Sequence, residues 1–142
     1  MKNGYSAYRS ANVDTADQGK LILIAYDVAI KNCKLAIESF EDRKLIADRT
    51  AYLLKVQDAI TELMSALRLD VGEIAKNLYR LYDYMLRRLI QANAKNDSSF
   101  VEEVSEHLSM LRSAWVDAIE QTRRMKSTQG SGVGAKNFAA SV

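Results

Sequence analysis

The chain contains no proline in 142 residues. Proline is the strongest single breaker of helices, so its absence removes the commonest interruption of a long helical run. Glycine is also sparse within the periodic region: of six glycines, only Gly19 falls inside an apolar repeat. A single cysteine, Cys33, excludes an internal disulfide and fits a reducing compartment, the cytoplasm. Met1 to Asp17 is polar, with no apolar core of a signal peptide. The longest purely apolar stretch, Leu21 to Tyr26, is far too short to cross a bilayer. Neither sign of charge is in excess. Twenty basic and 18 acidic residues leave a formal charge of +2, and they are interleaved. Nucleic-acid domains gather Lys and Arg on one face; here only Arg87–Arg88 and Arg123–Arg124 are tight basic pairs, and they read as solvated surface. No membrane and no nucleic acid is expected as a partner.

Catalytic and metal chemistry is equally thin. A di-iron bundle needs two Glu-x-x-His pairs. This chain has one histidine, His107, with Val104 three residues before it. Cys33 and His107 are the one formal nucleophile–base pair, but Cys33 falls at an apolar helical spacing, and a reactive thiol needs an electropositive, partly exposed setting. Gly130, Gly132 and Gly134 lack the strand–loop–helix context of a phosphate loop. No catalytic residue, metal or cofactor is expected, and the chain does not read as an enzyme.

What is present is helical periodicity. Apolar residues recur in steps of three and four at Ile22, Tyr26, Ala29, Cys33, Ala36, Ile37 and Phe40, predicting a first helix over 16–40 after Thr15 and Gln18 as a capping box. Leu21, Leu23, Ile24, Val28 and Ile30 widen that stripe almost all round, which marks a central or covered helix. A second helix is predicted over 43–69, with Asp42 as cap and a seam of Ile46, Leu53, Val56, Ile60, Leu63 and Leu67. A third, over 71–96 with Asp70 and Glu73 as cap and N3 residue, carries two adjacent stripes: Ile74, Leu78, Leu81, Met85, Leu89, Ala92, and Ala75, Tyr79, Tyr82, Leu86, Ile90. A fourth, over 100–126 behind Ser99 and Glu102, follows Val101, Val104, Leu108, Leu111, Trp115, Ala118, Thr122 and Met125. Short joints make sequence neighbours antiparallel. The fold predicted is all-α: an antiparallel up-down-up-down four-helix bundle over 15–127. An N-terminal tail, 1–14, packs on the bundle, and a Gly/Ser/Ala-rich tail, 128–142, is a flexible extension.

The surplus of apolar surface is the positive functional signal. A four-helix bundle needs one stripe per helix, and helices one and three have more. Tyr79, Tyr82, Tyr84 and Met85 crowd seven residues that cannot all face one core. Tyrosine and methionine suit interfaces, and Tyr84 projects away from the Leu78/Leu81/Met85 side. Tyr5, Ala7 and Tyr8 add apolar character to the N-terminal tail. These six residues, Tyr5, Ala7, Tyr8, Tyr79, Tyr82 and Tyr84, are the candidate partner contacts. A groove on such a bundle accepts an amphipathic helix.

Three stretches resemble the FliS family of flagellin export chaperones. They are Ala7-Tyr8 followed by Leu21 to Ile30 with its Tyr26-Asp27-Val28-Ala29-Ile30 segment, then Glu73 to Met85 with Arg87-Arg88-Leu89, and finally Leu111 to Trp115. The resemblance spans about Tyr5 to Met125. It implies a cytoplasmic bundle that binds the C-terminal helical region of flagellin, prevents premature polymerisation and hands the subunit to the type III export apparatus. It also implies a tail lying over or beside the binding surface, and contacts in some members with other flagellar regulators and export components. The single Gly72 in the joint before helix three and Asp17 near the first helix depart from the family pattern. The competing reading is a structural or dimerising bundle, a homodimer when free, whose groove is filled by its own copy.

Overall fold

The computed structural model describes residues 15–129. They form four α-helices: α1, Thr15–Ser39; α2, Ile46–Ser65; α3, Glu73–Lys95; and α4, Ser99–Gln129. Short 3-10 turns at Arg43–Leu45 and Leu69–Val71 precede α2 and α3. Among the described residues there is no strand.

Side-chain neighbours fix the directions. Near the start of α1, a Cβ on Gly19 would stand 3.2 Å from Ile119 Cδ1 in the second half of α4. Near its end, Ile37 shares a groove with Glu102 at the start of α4. Arg49 at the start of α2 bonds Asn93 and Asn96 at the end of α3. Arg88, late in α3, bonds Glu103, early in α4. Each helix therefore runs antiparallel to its neighbours, and the ring closes α1–α2–α3–α4–α1. The α1–α2 contact is the most extensive and α1–α4 the next. Helix α1 gains this central position from small residues: Ala25, Ala29, Cys33 and Ala36 are each at most 1% exposed, and small side chains let helices approach closely.

The core is filled from all four helices, by Tyr26 with those small residues, by Leu53, Val56, Ile60 and Leu63, by Tyr82, Met85, Leu89 and Ala92, and by Val101, Val104, Leu108 and Trp115. One polar device lies inside it. The hydroxyls of Tyr26 and Tyr82 are 2.5 Å apart, and the Trp115 indole N–H serves this pair as a donor. This joins α1, α3 and α4 where an unpaired phenol would otherwise carry a desolvation penalty.

Several element ends differ from the sequence-based expectation. The second helix is not continuous from 43 to 69. Asp42 accepts the Lys44 N–H through Oδ1 at 2.9 Å and the Leu45 N–H through its carbonyl at 2.9 Å, which tightens the first turn. The helix stops at Ser65, and Arg68 is extended (φ −104°, ψ 91°) just before the next 3-10 turn. Asp70 lies in a 3-10 turn rather than capping α3. The cap position is Gly72 at φ 148° and ψ −179°, a backbone region essentially reserved for glycine. The cap of α4 is shifted: Asp97 Oδ1 accepts both the N–H and the hydroxyl of Ser99, while the Ser98 carbonyl accepts from Val101 and Glu102. The expected packing of the N-terminal tail falls outside the described residues.

Candidate functional site

On α3 the core midline runs between the two sequence stripes. Ala75, Tyr82, Met85, Leu89 and Ala92 are buried, and the flanks of both stripes are pushed outward. Tyr79 and Ile90 are 41% and 59% exposed, and with half-buried Leu86 they line one edge of α3 at spacings of seven and four. Across the seam, Leu54 on α2 is 52% exposed because it stands beside the buried Leu53–Val56–Ile60 stripe rather than on it. Between them lies a groove of about 280 Å³, lined by Leu54, Gln57, Ile90 and Ala94 over a floor of Leu53, Thr50 and Asn93.

The polar end of this groove is built from buried Arg49. Its Nε donates to Asn93 Oδ1 at 3.0 Å, one terminal nitrogen donates to Asn96 Oδ1 at 2.6 Å, and the guanidinium lies 4.4 Å from the Phe40 ring centroid. Asn93 Nδ2 in turn reaches Thr50 Oγ1 at 3.5 Å. The cation also sits at the negative end of the α3 dipole, where positive charge is favoured. The groove is thus an apolar trough between rigid helices with a fixed polar stop.

The six sequence candidates are not one cluster. Tyr5, Ala7 and Tyr8 lie outside the described residues. Tyr79 is exposed on the same edge of α3 as Ile90 but three turns away from it, and it is not among the residues that line the groove. Tyr82, expected on the partner-facing side, is 1% exposed and enclosed in the core, where burial pushes its phenol up to about 12. Tyr84 stands about 140° around the helix from Tyr79, half-buried against the core, and it meets α4 there instead of solvent. Its hydroxyl donates to Glu103 Oε2 at 2.6 Å. Arg88 holds Glu103 Oε1 at 2.9 and 2.8 Å, and His107 Nε2 is 3.4 Å from Oε2. The Tyr84 hydroxyl, then Arg88 and His107, keep the Glu103 carboxyl below its usual range, while Glu103 raises the Tyr84 phenol. This network stitches α3 to α4.

It also engages His107 away from Cys33. The Cys33 thiol is fully buried, and burial pushes it up to about 12, which disfavours the thiolate that nucleophilic chemistry needs. Among the described residues no group of three or more His, Cys, Asp or Glu could hold a metal ion, and no helix is long and apolar enough to cross a membrane.

Sequence reasoning missed Leu54, Arg49 and Met110, the last 71% exposed on α4. Leu54 and Met110 are visible in hindsight as apolar residues one step off their helix's stripe; Arg49 carries no such signal.

The fold and its seams define a compact helical bundle whose outer faces carry apolar side chains that its own core leaves uncovered. The family model described as Flagellar protein FliS matches residues 1–122. The relative named flagellar secretion chaperone FliS from Bacillus subtilis (strain 168) is 36% identical over 132 residues, covering 93% of this chain and 96% of the relative. Its namesake from Salmonella typhimurium is 35% identical over 118 residues, covering 80% and 87%. That from Vibrio cholerae is 32% identical over 120 residues, covering 81% and 88%. The chain belongs to the FliS family.

Proposed function

We propose that this protein is a cytoplasmic flagellar secretion chaperone. It binds the C-terminal helical region of flagellin, keeps the subunit from polymerising early, and delivers it to the type III flagellar export apparatus. The names of its relatives support the role. The observation that carries the binding step is the α2/α3 groove, with Leu54 and Ile90 more than half exposed on its two walls. An amphipathic client helix laid there buries apolar area at roughly 25 cal/mol per Å² before ordering costs are subtracted. Binding of this kind is passive and needs no nucleotide and no catalysis. Tyr79 joins Leu54 and Ile90 as a direct contact, and Tyr5, Ala7 and Tyr8 contribute from the N-terminal segment. Tyr82 acts only from within, by holding the shape of α3. Tyr84 reaches a client only by releasing Glu103.

The test is a titration of a peptide from the C-terminal helices of the same organism's flagellin into the full chain and into the Leu54→Asp/Ile90→Asp variant. The wild type should bind in the micromolar range or tighter, and the variant at least about tenfold more weakly, a loss of about 1.4 kcal/mol or more. No binding by the wild type up to tens of micromolar overturns the reading. A mass twice the monomer's, together with no peptide binding, supports the dimerising bundle instead. Removing residues 1–13 should change the affinity; identical affinities would take Tyr5, Ala7 and Tyr8 out of the site.

A further inference from the structure

We propose that the seam between α1 and α4 is a second docking surface, shaped for a cationic amphipathic helix of another protein. It is a separate groove of about 550 Å³, lined by Ile37, Glu102, Ser105, Glu106, Ser109 and Met110. The α1–α4 and α2–α3 seams face opposite sides of the four-helix ring, so this surface stands apart from the proposed client groove.

Three observations define its occupant. The first is apolar. Met110 is the most exposed large hydrophobic side chain among the described residues, at 71%, and half-buried Ile37 lines the same groove from α1. A flexible thioether adapts to a guest side chain, and the short Ser105 and Ser109 side chains let a guest backbone come close. The second is electrostatic. Glu102 and Glu106 stand one helical turn apart, a spacing at which like charges repel, and neither is ion-paired with a described residue. Glu102 accepts only the Ser98 hydroxyl, at 3.4 Å. Two other acids of the same helix are neutralised: Arg88 holds Glu103, and Arg123 and Arg124 hold Glu120, while Asp117, nearer the far end, is exposed and has no ion pair with a described residue. Asp27, across the seam, is held by Arg112 at 2.6 Å. The dipole of α4 accounts for an acid at Glu102 in the first turn, but that influence fades before Glu106. The third is the α1 rim, where Glu38, next to Ile37, is exposed and has no ion pair with a described residue, as is also true of Lys34 one turn before it. A guest helix with Lys or Arg at one-turn spacing, flanking apolar residues that meet Met110 and Ile37, matches all three. An acidic guest is repelled.

The experiment uses the full chain and two synthetic helices about 18 residues long. One has leucine on one face and lysine elsewhere; the other has glutamate in place of lysine. Fluorescence anisotropy should show binding of the lysine peptide at least about tenfold tighter than the glutamate peptide, weakening with added salt. The Glu102→Lys/Glu106→Lys variant should reverse that preference, and Met110→Asp should weaken the lysine peptide by about tenfold. The Leu54→Asp/Ile90→Asp variant should leave it unchanged. All these side chains are exposed, and circular dichroism verifies the fold. Equal binding of both peptides, or indifference to the Glu102/Glu106 and Met110 substitutions, overturns the proposal. So does a doubled mass that Glu106→Lys abolishes, because a second copy would then occupy the seam. None of these readouts involves flagellin, so failure here leaves the α2/α3 reading intact, and the reverse also holds.

Discussion

Cys33, Tyr26 and Tyr82 are titratable groups set deep among apolar side chains, and all three resist ionisation. Burial pushes the Cys33 thiol from 9.0 up to about 12 and the Tyr82 phenol from 10.0 up to about 12; Tyr26 is raised by burial and by its neighbour Tyr82. Their contribution to stability is complete below the unfolded-state values. As pH rises from about 9 toward 12 it is lost, because the unfolded chain then releases protons that the folded chain keeps. Each group held neutral in this window costs about 1.4 kcal/mol per pH unit. Urea midpoints measured under reducing conditions from about pH 8 to about pH 11 should fall steeply. Cys33→Ala should remove the part of the decline that begins near pH 9, and an unchanged slope would refute this account. Arg49 is the other residue with more weight than its type suggests. Lysine cannot hold Asn93 and Asn96 with one planar fork, so Arg49→Lys should lower stability by about 1.5–3 kcal/mol in urea unfolding. A loss within experimental error would show the contacts to be incidental.

At the level of the helices, the joints are where backbone geometry decides. Gly72 has φ 148°, and a Cβ added there would meet nothing within 4 Å, so the barrier to substitution is conformational, not spatial. Gly72→Ala should destabilise by about 1–3 kcal/mol despite the free space. Asn96 closes α3 in the left-handed region at φ 54°. Asn96→Gly relieves that backbone, whereas Asn96→Ala does not, and both lose the acceptor for Arg49; alanine should therefore be the worse by about 1 kcal/mol. Thermal melts of the pair test this ordering. The helices themselves were legible because long runs of apolar residues at steps of three and four have no other regular solution. The joints were less so. Asp70 reads as a cap by type, but the position is taken by Gly72, and the Ser99 cap moves to Ser98 because Asp97 claims the Ser99 amide. The rotation of α3 was not legible either. Apolar residues cover so wide an arc that sequence leaves open which part faces inward. That is why Tyr79 and Tyr82 could not be told apart, yet Tyr79 ends on the outer edge of α3 and Tyr82 in the core, while Tyr84, which the sequence already set apart, ends on a carboxylate of α4.

For the molecule as a whole, one core serves all four helices, and the polar link within it joins three of them. Of the apolar side chains left outside, Leu54 and Ile90 line the α2/α3 groove and Met110 the α1/α4 groove. Trp115 is the sole tryptophan of the chain and lies 8% exposed beside the Tyr26 and Tyr82 hydroxyls. It is therefore an optical gauge wired to the centre of the bundle, and it lines neither outer trough. A client that merely rests on the outside should leave its emission maximum where it was. A red shift on complex formation would mean that the helices part to admit the guest, and the same unlabelled protein would report which of the two occurs.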